Sequence, residues 1–173
     1  MAAGKILLSK QEIEEIIKEL GGRINRDYEG KDLVVLGVLK GAFMFMADLI
    51  REIDLPLTCE FVRVSSYGPD GKPGHLRLEF DLTQSVVGKD VLVLEDLVDT
   101  GTTLQFLKHH LQGKGAKSVR FCTLIKKENA PEELPLDYYG KVIPPDYVVG
   151  FGMDLNGRFR NLPWIGYPPS TKS

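Results

Sequence analysis

The chain alternates short apolar runs with segments in which apolar residues recur at helical spacing. The runs at 33–39 and 91–94 are almost wholly apolar, which is typical of strands buried on both faces of a parallel sheet. β-Branched and aromatic residues bounded by turn formers favour strands in three further segments. The predicted strands are 33–39, 58–64, 91–94, 118–125 and 147–151.

Helices are predicted between these strands. Ser9 and Glu12 have the spacing of a capping box, and large aliphatic residues then recur at helical spacing until Gly21-Gly22, where we expect the helix to stop. Similar periodicity predicts helices over 43–50 and 104–111. Alternating strands and helices indicate an α/β fold with a parallel central sheet, in which ligands bind beyond the carboxyl ends of the strands.

The segment 76–82 has a different pattern, because apolar and charged residues alternate there with a period of two. This period predicts a half-exposed strand. Seven turn-forming residues, 68–74, lie before it. We therefore predict a protruding hairpin from about Ser65 to Leu82 with a mobile tip, which is either a lid over a neighbouring site or an ordinary surface hairpin.

Composition limits the class of protein. The 173 residues are 43% hydrophobic and 27% charged, which favours one globular domain over residues 1–173. The formal net charge of −2 argues against a nucleic-acid partner, and no apolar run reaches the ~20 residues of a membrane span. Cys59 and Cys122 are far apart, and the amino terminus lacks the pattern of a secretory signal, so we expect a cytoplasmic protein.

The stretch from Glu95 to Thr103 carries the candidate chemistry. Glu95 and Asp96 follow the apolar run at 91–94, and Asp99 precedes a loop of threonines and a glycine at the start of a predicted helix. Unpaired backbone N–H groups at a helix start attract phosphate, and hydroxyls add donors. Acids beside a phosphate make sense if they hold sugar hydroxyls or Mg²⁺, which points to a sugar phosphate. The alternative without a binding role is a capped helix start after an acidic turn.

This stretch resembles the phosphoribosyl diphosphate (PRPP) binding motif of type I phosphoribosyltransferases. Further segments, in family order between 33 and 166, resemble the hypoxanthine-guanine branch of that family: Leu39-Lys40-Gly41, Ser65-Ser66-Tyr67-Gly68, Lys126, Asp146 to Gly150, Met153-Asp154 and Phe159 to Leu162. The resemblance implies a Rossmann-like parallel sheet flanked by helices, a flexible hairpin lid and a small C-terminal hood. It also implies purine salvage, in which PRPP and hypoxanthine or guanine give the nucleoside monophosphate and diphosphate.

The resemblance implies roles for the residues that would bind PRPP. Glu95 and Asp96 would approach the ribose hydroxyls and, with Asp154, would hold Mg²⁺, the expected cofactor. The loop would wrap the 5′-phosphate, with Asp99 also acting as the general base near N7 of the purine. The loop residues are Asp99, Thr100, Gly101, Thr102 and Thr103. The residues expected to meet the diphosphate are Lys40, Gly41 and Arg160.

The resemblance also implies which residues would bind the base. Lys126 would donate to the exocyclic O6, Tyr147 would stack on the purine ring, and Val148 would address the base through its backbone beside Met153. Ser66 and Tyr67 would belong to the lid that closes over the diphosphate. The peptide bond between Leu39 and Lys40 is cis in members of the family, which the sequence by itself does not reveal.

Three alternatives remain open at this stage. The chain could be a phosphoribosyltransferase that acts on xanthine, adenine or a pyrimidine. It could be a regulatory binding module that keeps the PRPP motif, or a sugar-phosphate binder without catalysis. The resemblance further implies a homodimer or homotetramer, and Phe43, Phe45 and Met46 could serve either the core or such an interface.

Overall fold

The computed structural model describes residues 4–67 and 75–169. Eight strands, three α-helices and one 3₁₀ turn make up this part of the chain. The strands are β1 Ile6–Leu8, β2 Leu33–Leu39, β3 Leu57–Tyr67, β4 His75–Phe80, β5 Asp90–Val98, β6 Ser118–Lys127, β7 Tyr138–Ile143 and β8 Ile165–Gly166. The helices are α1 Lys10–Asp27, α2 Phe43–Leu49 and α3 Thr102–Gly113, with the 3₁₀ turn at Ile50–Glu52.

Six strands form the central sheet in the order β4-β3-β2-β5-β6-β7, and β1 pairs with β8 in a separate antiparallel ladder. Every pair in the central sheet is parallel except β3 with β4. From β2 the chain continues to β3 on one side, whereas β5 leads to β6 and β7 on the other. The crevice between the ends of β2 and β5 is therefore the topological switch point, where sheets of this kind bind ligands.

Helices cover both faces of the sheet, so β2 and most of β5 are buried as the sequence predicts. Residues of α1 and α2, such as Ile17 and Phe45, pack with Leu92 and Leu94 of β5 in one apolar cluster. The other cluster joins α3 to the opposite face of the sheet, and its members include Leu104, Leu107, Leu111, Val34, Val91 and Val93. This arrangement confirms the predicted α/β fold.

Helix α1 begins as predicted but extends further. Ser9 Oγ accepts a hydrogen bond from the Glu12 amide at 3.3 Å, and the Ser9 amide donates to Glu12 Oε2 at 2.8 Å, which completes the capping box. The expected stop at Gly21-Gly22 is wrong, since the helix continues to Asp27. A Cβ at Gly21 would lie 2.5 Å from the Cβ of Glu52, so this glycine allows the helix to approach the 3₁₀ turn closely.

Two strand predictions need correction. β5 does not end at Leu94 but continues to Val98, so the acidic pair lies inside the strand. No strand forms at 147–151, and the edge strand is β7, which was not predicted. Residues 148–151 of that run are buried instead in a turn, where Gly150 and Phe151 have φ of 102° and 47°, whereas Tyr147 is exposed.

The predicted hairpin is present. β3 pairs with β4 from Arg63 opposite Phe80 to Tyr67 opposite His75, and an ion pair of 2.8 Å joins Arg63 Nε to Glu79 Oε2 across the two strands. Its predicted tip, residues 68–74, lies outside the described residues. None of the helices in the described ranges combines the length and the apolar character that crossing a membrane requires.

Candidate active site

Several of the candidate residues lie at the switch point of the sheet. Leu39 at the end of β2 is in register with Arg63, so β3 extends beyond β2 by the four residues that end at Tyr67. Ser66 and Tyr67 are thus the last residues of β3, which adjoins β2. The Leu39–Lys40 peptide bond is cis, and the exposed Lys40 follows it at the carboxyl end of β2.

The chain packs closely around Gly41. A Cβ at Gly41 would lie 1.9 Å from Asp96 Oδ2, and a Cβ at Gly152 would lie 2.0 Å from the carbonyl oxygen of Gly41. A side chain at Gly152, where φ is +99°, would overlap the main chain, and one at Gly41 would displace the Asp96 carboxylate. The loop after β2 is consequently seated directly on the acidic strand, with the chain after 150 packed against its other side.

The acidic pair is partly buried, and its two members line different cavities. Glu95 lines a cavity of about 180 Å³ with the threonine loop, and Asp96 lines one of about 300 Å³. Burial raises the pKa of Glu95 well above its usual value, and the neighbouring charge of Asp96 adds to this. Burial also raises the pKa of Asp96, although its Oδ1 accepts a hydrogen bond of 2.9 Å from the Leu97 amide.

The smaller cavity is formed by the loop that starts α3. Gly101 caps the helix with a φ of 73°, and the first helical bond runs from the Gln105 amide to the Gly101 carbonyl at 3.1 Å. The earlier amides of that turn have no acceptor within the helix. Thr100 Oγ1 and Thr102 Oγ1 lie 3.0 Å apart. The loop therefore offers amide and hydroxyl donors to an anion.

The larger cavity has the size and lining of a small-ligand site. Tyr147 exposes 56% of its surface there, whereas Val148 and Met153 are buried. Asp99 lines both cavities, so it connects the threonine loop to the larger one. The residues that line the larger cavity are Asp96, Leu97, Asp99, Lys127, Tyr147, Val148, Met153 and Asp154.

The lysine of this cavity is Lys127, not the expected Lys126. Lys127 is 7% exposed, its Nζ lies 3.8 Å from Asp99 Oδ2, and it donates to the Pro145 carbonyl at 3.2 Å. Neighbouring residues of a strand point to opposite faces. Lys126 therefore points away, and its Nζ lies 5.5 Å from the centre of the Tyr139 ring. The sequence does not distinguish the two adjacent lysines. The alternation of the strand would do so only if the end of β6, at Lys127, were known.

The chain after the cavity forms a hood centred on Asp154. The Tyr147 hydroxyl donates to the Asp154 carbonyl at 2.6 Å. Asp154 Oδ1 forms an ion pair of 2.7 Å with Arg160 Nη2, and Asp154 Oδ2 accepts from the Gly157 amide at 2.6 Å. Arg160 Nη1 in turn donates to the Gly152 carbonyl at 2.5 Å. These contacts hold Asp154 and Arg160, two residues expected to bind PRPP or metal, against the rim of the cavity.

The expected metal ligands are Glu95, Asp96 and Asp154. In the described ranges, no group of three or more His, Cys, Asp or Glu side chains is arranged to hold a metal ion. Glu95 and Asp154 line different cavities, and the carboxylate of Asp154 is already bound to Arg160. The protein alone therefore does not supply a closed metal site in this part of the chain.

Comparison with known proteins identifies the family. A model of the phosphoribosyl transferase domain matches residues 4–156. The chain belongs to the phosphoribosyltransferase family. This phosphoribosyltransferase is 43% identical, over 164 residues, to hypoxanthine-guanine phosphoribosyltransferase of Staphylococcus aureus, with 94% of this chain and 92% of the relative covered. The expected family and its enzymatic class are thereby confirmed.

Solved structures of phosphoribosyltransferases superpose closely on the chain. A hypoxanthine phosphoribosyltransferase from S. aureus is 42% identical, with a TM-score of 0.91 over 98% of this chain and 94% of the other. A hypoxanthine-guanine phosphoribosyltransferase from Bacillus anthracis is also 42% identical, with a TM-score of 0.89 over 95% of this chain and 98% of the other. These matches confirm the type I phosphoribosyltransferase fold.

Proposed function

We propose that this phosphoribosyltransferase transfers the phosphoribosyl group of PRPP to hypoxanthine or guanine and releases diphosphate. The observation that carries the proposal is the pairing of Lys127 Nζ with Asp99 Oδ2 at 3.8 Å inside the larger cavity, next to the threonine loop. A cation and a carboxylate side by side suit a 6-oxopurine, whose O6 and N7 are neighbours on one edge of the ring. The names of the related proteins point to the same substrates.

Lys127 replaces Lys126 as the residue that donates to O6 in this proposal. An ammonium group has donors only, so it suits a 6-oxo group and would oppose the 6-amino group of adenine. Asp99 accepts the proton that the purine ring loses when N9 attacks the anomeric carbon, either directly at N7 or as a relay. Tyr147 provides the aromatic face on which the ring stacks, with Val148 and Met153 beneath it.

PRPP lies across both cavities in this proposal. The 5′-phosphate occupies the loop from Asp99 to Thr103, where the unpaired amides and the hydroxyls face the smaller cavity. Glu95 and Asp96 flank the ribose and accept hydrogen bonds from its hydroxyls. The diphosphate faces Lys40, Gly41 and Arg160, and closure of Ser66 and Tyr67 over it would keep water from the anomeric carbon.

Mg²⁺ is the cofactor we propose, with PRPP completing a site that the described residues do not close by themselves. Glu95, Asp96 and Asp154 offer carboxylate oxygens, the ligands that this cation prefers. The pKa values of Glu95 and Asp96 are raised by burial and, for Glu95, by the charge of Asp96, so a bound cation would stabilise both as carboxylates. Most remaining ligands would be PRPP oxygens and water. When bound, the ion would neutralise charge that develops on the departing diphosphate.

We also propose a homodimer or homotetramer in the cytoplasm, with small-molecule substrates and no nucleic-acid partner. Of the three apolar residues considered for an interface, Phe45 and Met46 are buried in the core, whereas Phe43 is 43% exposed. Only Phe43 is therefore available to a second copy. Light scattering on the purified protein would measure the assembly directly, and a monomer at all concentrations would contradict this part of the proposal.

A screen of purine bases tests the proposed reaction. The protein is incubated with PRPP and Mg²⁺ together with hypoxanthine, guanine, xanthine or adenine, and nucleotide formation is followed by absorbance. We expect turnover with hypoxanthine or guanine and none with adenine. Turnover with adenine alone, or no turnover with any base by a folded sample that binds PRPP, would overturn the proposal.

A further inference from the structure

The hydroxyl of Tyr147 is committed to a backbone acceptor at the edge of the larger cavity. It donates to the carbonyl oxygen of Asp154 at 2.6 Å, and both residues line that cavity. The aromatic face does not need this hydroxyl to stack on a base, since a phenylalanine ring would provide the same surface. The hydroxyl therefore does not serve stacking, but it affects which polar groups of a ligand can bind beside the Asp154 carbonyl.

The acceptor is held in place by the hood. Asp154 Oδ2 accepts from the Gly157 amide at 2.6 Å, and Oδ1 is paired with Arg160 Nη2 at 2.7 Å. Arg160 is itself anchored to the Gly152 carbonyl at 2.5 Å. With both carboxylate oxygens bound, the main chain of Asp154 has little freedom to turn its carbonyl elsewhere. The hydrogen bond from Tyr147 is thus made to a fixed partner.

The orientation of a 6-oxopurine follows from the polar groups at the other end of the cavity. Lys127 and Asp99 lie side by side, so O6 and N7 face them, and Asp96 lies on the side of the ribose. The C2 position of a purine is across the ring from the edge that carries O6 and N7. C2 therefore faces the remaining polar group of the lining, which is Asp154 with its bound Tyr147.

We propose that the Tyr147 hydroxyl is a specificity-determining group that favours hypoxanthine over guanine; this rests on the proposed function. Hypoxanthine has only a hydrogen at C2 and needs no acceptor there. The 2-amino group of guanine is a donor and would have to share the Asp154 carbonyl oxygen, which already accepts from Tyr147 at 2.6 Å. Two donors at one carbonyl oxygen each form a weaker hydrogen bond than one donor alone, which costs free energy in a partly buried site.

The test compares the wild type with Tyr147→Phe. We expect the ratio of kcat/KM for guanine to that for hypoxanthine to rise about threefold to tenfold, mainly through a lower KM for guanine. The KM for PRPP should stay unchanged. A general loss of structure would instead raise the KM values for both bases and for PRPP together. As a second readout, calorimetry should show the affinity for GMP rising relative to that for IMP.

Tyr139→Phe is the matched control, because Tyr139 is an exposed tyrosine on β7 that does not line the cavity. It should leave the ratio at the wild-type value. An active wild type whose ratio is unchanged or lower in Tyr147→Phe overturns this inference alone. A wild type that is inactive with both bases overturns the proposed function, and the inference with it.

Discussion

Lys127 shows how a single position in a strand decides which of two adjacent lysines can bind a ligand. Its side chain is 7% exposed and is held by the Pro145 carbonyl and by Asp99. A lysine is rarely buried this deeply unless it is paired. The Asp99 contact satisfies one part of its charge, and a 6-oxo group of a substrate would satisfy another.

Replacing Lys127 by methionine tests this assignment. We expect kcat/KM for hypoxanthine to fall about 10- to 100-fold, because a charged donor to O6 is lost while the volume of the side chain is nearly kept. Lys126→Met is the matched control and should retain activity within about threefold, since its Nζ lies over Tyr139 outside the cavity. A larger loss in the Lys126 variant than in the Lys127 variant would restore the original expectation.

Asp99→Asn tests the proposed general base. We expect kcat to fall by about 10²- to 10⁴-fold, because the amide is nearly isosteric but does not accept a proton. Affinity for PRPP, measured by calorimetry, should be largely kept, since the loop binds phosphate through amides and hydroxyls. Unchanged turnover would show that another group takes the proton.

At the scale of elements, the sequence predicts most of what local pattern controls. The apolar run of β2 and the capping box at Ser9 are local signals, and both predictions are correct. The expected helix stop at Gly21 is wrong because this glycine serves a close contact with Glu52, which is remote in sequence. The sequence does not predict β7 because Gly140 interrupts it and two of its apolar side chains, those of Tyr139 and Val142, are half-exposed. The run at 147–151 has the composition of a strand, but the chain turns there instead.

The candidate site divides in the same way. The motif from Glu95 to Thr103 is contiguous, so the sequence alone placed its residues together, and Asp99 indeed joins the two cavities. The choice between Lys126 and Lys127 depends on where β6 ends, which local pattern does not define. The bond from Tyr147 to Asp154 depends on how the hood turns back, and it had no sequence signal at all.

Gly41 tests how the loop after β2 is fitted to β5. In Gly41→Ala the new Cβ would overlap Asp96 Oδ2 at 1.9 Å, so the loop or the carboxylate must move. We expect a loss of about 1–3 kcal/mol in the free energy of unfolding and a raised KM for PRPP. Gly113→Ala is the control, because nothing lies within 4 Å of its added Cβ. Equal melting temperatures and KM values for both variants would contradict this account.

At the scale of the whole molecule, the buried acids make stability depend on pH. The folded protein raises the pKa of Glu95 well above its usual value, chiefly by burial and then by the charge of Asp96. The native state therefore holds a proton that the unfolded chain releases. The stabilisation is present below the unfolded value of 4.5 and is lost as pH rises toward the higher native pKa.

Urea denaturation of the wild type and Glu95→Gln across pH 5 to 8 measures this effect. We expect the unfolding free energy of the wild type to fall relative to the variant as pH rises, by at most about 1.4 kcal/mol per pH unit for one proton. Glutamine does not ionise, so the pH dependence that Glu95 contributes is absent from the variant. The pH dependence that Asp96 contributes remains, because burial also raises the pKa of Asp96. An exposed control, Glu132→Gln, should follow the wild type. Parallel curves for the wild type and Glu95→Gln would mean that Glu95 is ionised at no cost in the folded protein, and the argument that a bound cation stabilises the acidic pair would lose its basis.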